Sequence, residues 1–287
     1  MIKSNVFQRV LLFLVAIPLL GGAIFLLPQQ KHLFFNLISI IASFLATKEL
    51  IRIFKEKGIE LKSKILPYLS IPLPLASYIS LRFAIELDLF SIVLTTLIIF
   101  VLMISISTKV SDSDFSNNIT FIASSLFVII YPSYFISYII RFSEFNNSSI
   151  VIGFFILMIF MNDSGAWLLG VLFGKNNRGV VKVSKNKSVM GFVGGTIGTF
   201  LFFGLARYTI PGLINMPIYI YIILSVIFST VTISGDLVES AIKRSGKVKD
   251  SGDIIMGRGG LLDSIDSLLL TAPFFYYVVK AYIETGM

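Results

Sequence analysis

Long apolar runs, broken by short charged or turn-rich segments, dominate the chain. Nine of them read as helices, at residues 10–28, 33–54, 65–83, 89–107, 119–140, 149–173, 191–210, 213–235 and 261–284. A spanning helix needs about 20 apolar residues. The pattern therefore predicts an all-α, polytopic integral membrane bundle of about nine transmembrane helices. The second run ends in charge, and the third carries Pro67, Pro72 and Pro74. Proline is tolerable in a membrane helix where neighbouring groups satisfy the freed carbonyls. The first run follows Lys3 and Arg9, as the apolar part of a signal peptide does. It lacks a clear small-residue cleavage site and many spans follow it, so it reads as a retained helix.

Positive charge tests the count, because cytoplasmic loops carry an excess of Lys and Arg. With the N-terminus cytoplasmic, the inner segments hold Lys3 and Arg9, the cluster from Lys48 to Lys64, Lys109, the run from Lys175 to Lys187, and the run from Lys243 to Arg258. The outer segments hold only Lys31, Arg82, Arg141, Arg207 and Lys280. Nineteen of the 24 cations thus fall on one face, which supports nine spans with N inside and C outside. The cluster from Lys48 to Lys64 lacks the combination of Gly, Ser and intramembrane acids that marks the two late loops, and reads as a topology signal or an anionic-lipid contact.

Composition agrees and narrows the chemistry. Of 287 residues, 55% are hydrophobic and 14% charged, and the mean hydropathy is +0.88. A soluble domain carries about 25% charged residues, so a water-soluble globule is excluded, as is disorder. There is no Cys and one His, His32. That removes disulfides, thiolate metal sites and most Ser-His mechanisms. Catalysis here has to rest on carboxylates, cations, hydroxyls, backbone and hard metal ions.

Charges inside a bilayer are costly and mark functional candidates. Asp163, Asp236, Glu239, Asp250, Asp253, Asp263 and Asp266 all lie in the last 130 residues, near the predicted cytoplasmic face. The chain therefore divides into a hydrophobic scaffold, 1–145, and a catalytic transmembrane region with two basic loops, 146–287, within one continuous membrane domain. Asp163 sits in Asn162-Asp163-Ser164-Gly165-Ala166-Trp167, with Gly170 and Gly174 following at helix-packing intervals. The loop Ser184-Lys185-Asn186-Lys187-Ser188 precedes Gly191, Gly194 and Gly195 at a helix start, a setting that suits an anion and equally a solvated basic loop. Asp236, Glu239, Ser240 and Lys243 share one helix face. Arg244 and Lys249-Asp250 continue the segment, Gly257-Arg258-Gly259-Gly260 makes a cationic turn, and Asp263 and Asp266 open the last span a helical turn apart. Paired carboxylates hold hard divalent ions, and Mg²⁺ usually uses one or two of them plus substrate phosphates. The neighbouring Lys and Arg suit phosphate. A salt-bridge ladder from Glu239 to Lys243 is the plainer reading of one pair.

At these residues the sequence resembles the phosphatidate cytidylyltransferases, the integral-membrane CDP-diacylglycerol synthases. Their signature of Ser, Lys-Arg, Lys-Asp, a Gly-Gly turn and two acids three apart is similar to Ser240-Ala241-Ile242-Lys243-Arg244, Lys249-Asp250-Ser251-Gly252 and Gly257-Arg258-Gly259-Gly260-Leu261-Leu262-Asp263-Ser264-Ile265-Asp266. The preceding Gly235-Asp236-Leu237-Val238-Glu239-Ser240, the Asp163 segment and the Ser184 loop resemble the family's other motifs, in the family's order, over about residues 160–270. Lys185, Met190, Met256, Arg258 and Ser264 depart from the residues usual at their positions.

The resemblance implies a nucleotidyltransferase that converts CTP and phosphatidate to CDP-diacylglycerol and pyrophosphate in phospholipid biosynthesis. It implies Mg²⁺, alone or with a second cation, and a place in the inner, cytoplasmic cell membrane as a multi-pass protein. Asp236, Asp263, Asp266 and Lys243 are the expected catalytic residues. Asp163, Asp236, Asp263 and Asp266 are the expected metal ligands. Ser184, Lys187, Arg244, Lys249, Asp250 and Arg258 are expected to bind substrate. The bilayer is the other partner; no nucleic acid is expected, and a homodimer stays open. Three rival readings remain at this point: a CTP-dependent kinase of a lipid alcohol, a degenerate homologue suggested by the departures, and a cation-coupled transporter, which the one-sided clustering of acids disfavours.

Overall fold

The computed structural model describes residues 14–59, 61, 64–107, 118–209, 216–255, 257 and 259–285. Among them the chain is helical, with isolated β-bridges and no sheet. The helices are α1 (Leu14–Leu26), α2 (Gln29–Glu56), α3 (Pro72–Phe83), α4 (Leu89–Ser107), α5 (Asn118–Arg141), α6 (Ser148–Phe173), α7 (Val189–Thr209), α8 (Ile218–Ser245) and α9 (Leu262–Thr285). Six are long and apolar enough to cross a membrane, namely α4 to α9. The chain is a multi-pass membrane protein.

The other three helices fall short for separate reasons. Twelve residues make α3 about 18 Å long, against about 30 Å of hydrocarbon. Pro67 and Pro72 bracket a 3₁₀ turn, Tyr68–Ser70, and that turn takes up the first part of the expected 65–83 run. Residues 10–13 of the first run lie outside the described residues; Leu14–Leu26 is helical, and its last turn is π-helical. α2 has the length, with an uncharged stretch at residues 33–47 between Lys31 and Lys48, and is not among the six. It begins with a left-handed turn, Gln30, Lys31 and His32 having φ of +53 to +56°, and turns right-handed from Leu33, the expected start. Left-handed turns cost roughly 1–2 kcal/mol per residue. This one is tied at each position: Tyr78 Oη donates to the Gln30 carbonyl (2.9 Å), Asn36 Nδ2 to the Lys31 carbonyl (2.6 Å), and His32 Nε2 lies 2.8 Å from Ser148 Oγ.

Two compact units divide the chain, one of Met1–Ser149 with Ile242–Ser264, the other of Ile150–Ala241 with Ile265–Met287. This partition follows compactness, whereas the boundary at 145/146 follows chemistry; the 242–264 segment groups with the N-terminal helices. In the first unit, α2, α3 and α5 bury Leu50, Ile53, Leu73, Ile129 and Ile136. Serines sit in the same core, and Ser43, Ser133 and Ser137 satisfy themselves on backbone carbonyls. Asp88 caps α4 by accepting the Ser91 amide (3.1 Å), and its bonds from Ser91 hold the carboxyl below the usual carboxylate range.

In the second unit, α8 and α9 run antiparallel along a seam of Gly235 on Asp266 and Ser267, Thr232 on Thr271 (3.2 Å) and Phe228 on Phe275 (ring centroids 5.9 Å). Phe154 of α6 and Phe203 of α7 complete the aromatic core, with Phe154 stacked on Phe275. Glycines let α6 and α7 touch backbone to backbone. A Cβ on Gly165 would strike the Gly194 carbonyl, and one on Gly198 the Met161 carbonyl. Gly170 and Gly174 pack in the same way on Gly191 and Ser188. Gly198→Val is expected to cost about 1–3 kcal/mol, measured as a lower unfolding temperature in detergent, whereas Gly204→Val, with open space around its Cβ position, changes it little.

Candidate active site

In the second unit lie the loop of residues 174–188 and the seam of α8 and α9. Ser188 Oγ accepts the Gly191 amide (3.0 Å), so this hydroxyl caps α7. Ser184 lies in a tight turn, its amide bonded to the Val181 carbonyl and its carbonyl to the Lys187 amide. That turn carries Lys187 to Asp236 of α8, with Nζ 2.5 Å from Oδ2 and the two side chains 35% and 30% exposed. Asp163 is exposed on α6. Its buried neighbour Asn162 donates to Thr199 Oγ1 of α7 (3.0 Å). Asp266 is buried on α9, and its Oδ1 accepts the Ser267 amide (2.7 Å). Gly235 packs on the Asp266 backbone, so Asp236 follows directly on the closest approach of α8 to α9.

In the first unit lie the end of α8, the loop after it and the start of α9. α8 continues to Ser245, ten residues past the expected end of its span, and thereby carries Asp236, Glu239 and Lys243 as helical residues. Lys243 Nζ donates to Asp263 Oδ1 (2.5 Å), with both side chains largely buried. The other oxygen of Asp263 accepts the Ser251 amide (2.9 Å), the Ser251 hydroxyl (3.0 Å) and the Gly260 amide (2.7 Å). Two expected site residues, one cation and one acid, are therefore a single ion pair inside a hydrogen-bond cage. Arg244 is exposed and donates to the Val248 carbonyl (3.3 Å); Lys249 and Asp250 are exposed. Gly257 and Gly259 have φ of +74 and +114°, values that L side chains avoid. Arg258, between them, and Met256 lie outside the described residues.

Glu49 of α2 was not among the expected site residues. It is 4% exposed. Its Oε1 accepts the Leu261 amide (2.8 Å), and its Oε2 accepts the Leu262 amide (2.8 Å) and the Ser251 hydroxyl (2.9 Å). The cost of a carboxylate within an apolar run applies to it as fully as to Asp236. That argument would have found it, had the surrounding cations not already been assigned to topology.

The arrangement suits phosphate chemistry. Lys187 and Lys243 are held by carboxylates, and the exposed Arg244 and Lys249 follow Lys243 in sequence. For Mg²⁺ the donor type fits, since Asp236 and Asp266 are hard oxygen ligands on adjoining turns of the α8–α9 seam. Among the described residues no three His, Cys, Asp or Glu side chains gather as a ready metal cluster. Mg²⁺ held by one or two carboxylates and completed by substrate phosphates has no need of one.

These features define a helical membrane protein in which each unit holds a lysine–carboxylate pair, Lys187 with Asp236 and Lys243 with Asp263. The chain matches the Cytidylyltransferase family over residues 7–282 and belongs to that family. It is similar to three proteins named phosphatidate cytidylyltransferase. With that of Bacillus subtilis (strain 168) it is 42% identical over 129 residues, 44% of this chain and 46% of that protein. With that of Aquifex aeolicus (strain VF5) it is 35% identical over 158 residues, 55% and 57% of the two chains. With that of Thermotoga maritima it is 32% identical over 175 residues, 60% and 64%. The chain spans about half the length of the curated relatives it matches.

The two ion pairs differ in burial, and their loss should differ accordingly. Asp263→Asn leaves a largely buried Lys243 without its counter-charge and is expected to cost about 3 kcal/mol or more. Asp236→Asn breaks a pair that is a third exposed and is expected to cost about 1 kcal/mol or less. Thermal unfolding of both variants in the same detergent checks the order.

Proposed function

We propose that this chain transfers the cytidylyl group of CTP to phosphatidate, giving CDP-diacylglycerol and pyrophosphate. The observation that carries the reading is the family match through residues 7–282, with relatives bearing the name of that activity, together with the Lys187–Asp236 and Lys243–Asp263 pairs in the motifs that resemble theirs. A phosphate oxygen of phosphatidate attacks the α-phosphorus of CTP. The bond from that phosphorus to the oxygen bridging it to the β-phosphorus breaks, and pyrophosphate leaves with the electron pair. The attacking phosphate is already an anion near neutral pH, so no general base is required, which suits a chain whose only histidine is His32.

Transfers of this kind depend on positioning and on electrostatic stabilisation of the leaving phosphates. In this reading Lys243, Arg244, Lys249 and Arg258 bind phosphates, and Ser184 and Lys187 cover the nucleotide. Asp250 orders the loop that carries Lys249. Asp236, Asp263 and Asp266 are the carboxylates for Mg²⁺, with Asp163 as a further ligand or organiser. Mg²⁺, when bound, neutralises charge on the nucleotide phosphates. Asp263 is the most committed of these acids, because Lys243, Ser251 and Gly260 already donate to it.

The same reading keeps nine spans, with the N-terminus and both late basic loops on the cytoplasmic side of the inner membrane, where CTP is available. The diacyl tails then enter from the bilayer. Within this division residues 1–145 act as scaffold and 146–287 carry the chemistry.

In liposomes containing phosphatidate, with Mg²⁺ and CTP labelled at the α-phosphate, the wild type is expected to form labelled CDP-lipid and release pyrophosphate. Asp266→Asn should lower the rate by about 100-fold or more, the scale of losing a preorganised electrostatic group, and chelation of Mg²⁺ should abolish it. An unchanged rate in Asp266→Asn overturns the carboxylate assignment. Release of CDP with phosphorylation of a lipid alcohol overturns the cytidylyl reading in favour of a kinase.

A further inference from the structure

The chemistry proposed above makes no use of Glu49, yet Glu49 is among the most heavily engaged carboxylates in the first unit. It lies near the C-terminal end of α2 and is 4% exposed. Its three bonds, from the Leu261 amide, the Leu262 amide and the Ser251 hydroxyl, all come from a segment more than 200 residues away in sequence. Leu261 and Leu262 sit at the N-terminus of α9, where amides have no intrahelical partner and a negative charge is favoured by the helix dipole. Ser251 has one hydroxyl proton, and it faces Glu49 Oε2 on one side and Asp263 Oδ2 on the other. That proton links the two carboxylates.

The loop is shaped for this contact. A Cβ on Gly252 would fall 2.6 Å from Glu49 Oε1, and one on Gly260 2.5 Å from Oε2. Both glycines are therefore sites where the backbone comes too close to Glu49 for any side chain. Two neighbours of Glu49 on α2 hold the same loop. Arg52 Nη1 donates to Asp253 Oδ2 (2.8 Å), and Gly246 packs on the backbone and side chain of Ile53. Glu49, Arg52 and Ile53, at i, i+3 and i+4, share one face of the helix. Arg52 and Asp253 are exposed and contribute little, so the buried carboxylate is the main anchor.

We infer that Glu49 is a positioning residue, whose carboxylate fixes the start of α9 and Ser251 and thereby sets Asp263 and its partner Lys243 in place for the phosphates of CTP. The inference rests on the cytidylyl reading for its substrate and on the hydrogen bonds alone for the anchoring. It assigns a part in the nucleotide site to the helix that the sequence reading treats as scaffold.

Glu49→Gln keeps the volume but turns one acceptor into a donor facing donors. Hydrogen exchange is measured over residues 250–262 in the detergent-purified full chain, beside steady-state kinetics for both substrates. Exchange of that segment is expected to accelerate about tenfold or more, the scale of losing a hydrogen bond to a charged group. The CTP KM should rise by a similar factor while the phosphatidate KM stays unchanged. Wild-type exchange with wild-type CTP KM overturns the inference. So does an equal loss for both substrates, which marks a general structural role. If Glu49→Gln does not fold, Ser251→Ala carries the test, since it removes one donor and leaves the carboxylate. Faster exchange with a raised CTP KM then supports the inference, and no change in either overturns it. If the wild type forms no CDP-lipid, the functional reading fails, while the exchange comparison still decides whether Glu49 holds the segment.

Discussion

The amides that open α9 need acceptors, and the buried Glu49 provides two of them. A helix end left unsatisfied away from water is costly, and at this point the chain has just made a tight turn through Gly257, Gly259 and Gly260. Asp263 meets the Gly260 amide, and Glu49 meets those of Leu261 and Leu262. With these acceptors in place α9 starts at Leu262. Its first turn then sets Asp263 against Lys243, and the register along the helix brings the backbone of Asp266 and Ser267 against Gly235. The position of Asp263 follows from where that helix begins.

Small residues answer a different constraint. Between apolar helices in lipid, burial of apolar surface supplies little drive, and close backbone packing supplies more. α6 and α7 meet through Gly165, Gly194 and Gly198 with no side chain between them, and Asn162 bonds Thr199 beside that contact. In the first unit the same part is played by serines, which are small and return their hydroxyls to backbone carbonyls of the preceding turn. The glycine contacts of the second unit lie beside the acids of α6 and α8, Asp163 being one residue from Asn162 and Asp236 one from Gly235.

Most of the helices were legible, because apolar runs of 19 to 28 residues have one stable form in a membrane. The ends of α6, α7 and α9 fall within two residues of their expected positions. The third run was misjudged in length, because Pro67 and Pro72 break it into a 3₁₀ turn and a short helix, and hydropathy alone does not see that. The acids of α8 and α9 were legible because charge is scarce there. Glu49 was not, because it stands among Lys48, Arg52 and Lys55, where topology already explains the charge. Its partners come from more than 200 residues away, and no local pattern encodes a contact of that range. The loop that ends at Ser188 read equally as an anion site and as a solvated basic loop; the Ser188 hydroxyl caps the helix that follows.

The two lysine–carboxylate pairs differ in how firmly each holds its cation. Lys243 and Asp263 are 12% and 8% exposed, and the acid has further donors on its second oxygen. Separating them would strand charge away from water, where the penalty is largest. Lys187 and Asp236 are each about a third exposed, and water screens their attraction. An incoming polyanion therefore competes with Asp236 for Lys187 at much lower cost than with Asp263 for Lys243. Lys187 also rides on a loop of tight turns and isolated bridges, whereas Lys243 is fixed on a continuous helix. The electrostatics thus make Lys187 the cation more readily drawn from its partner by an added anion, and Lys243 the one whose place is fixed.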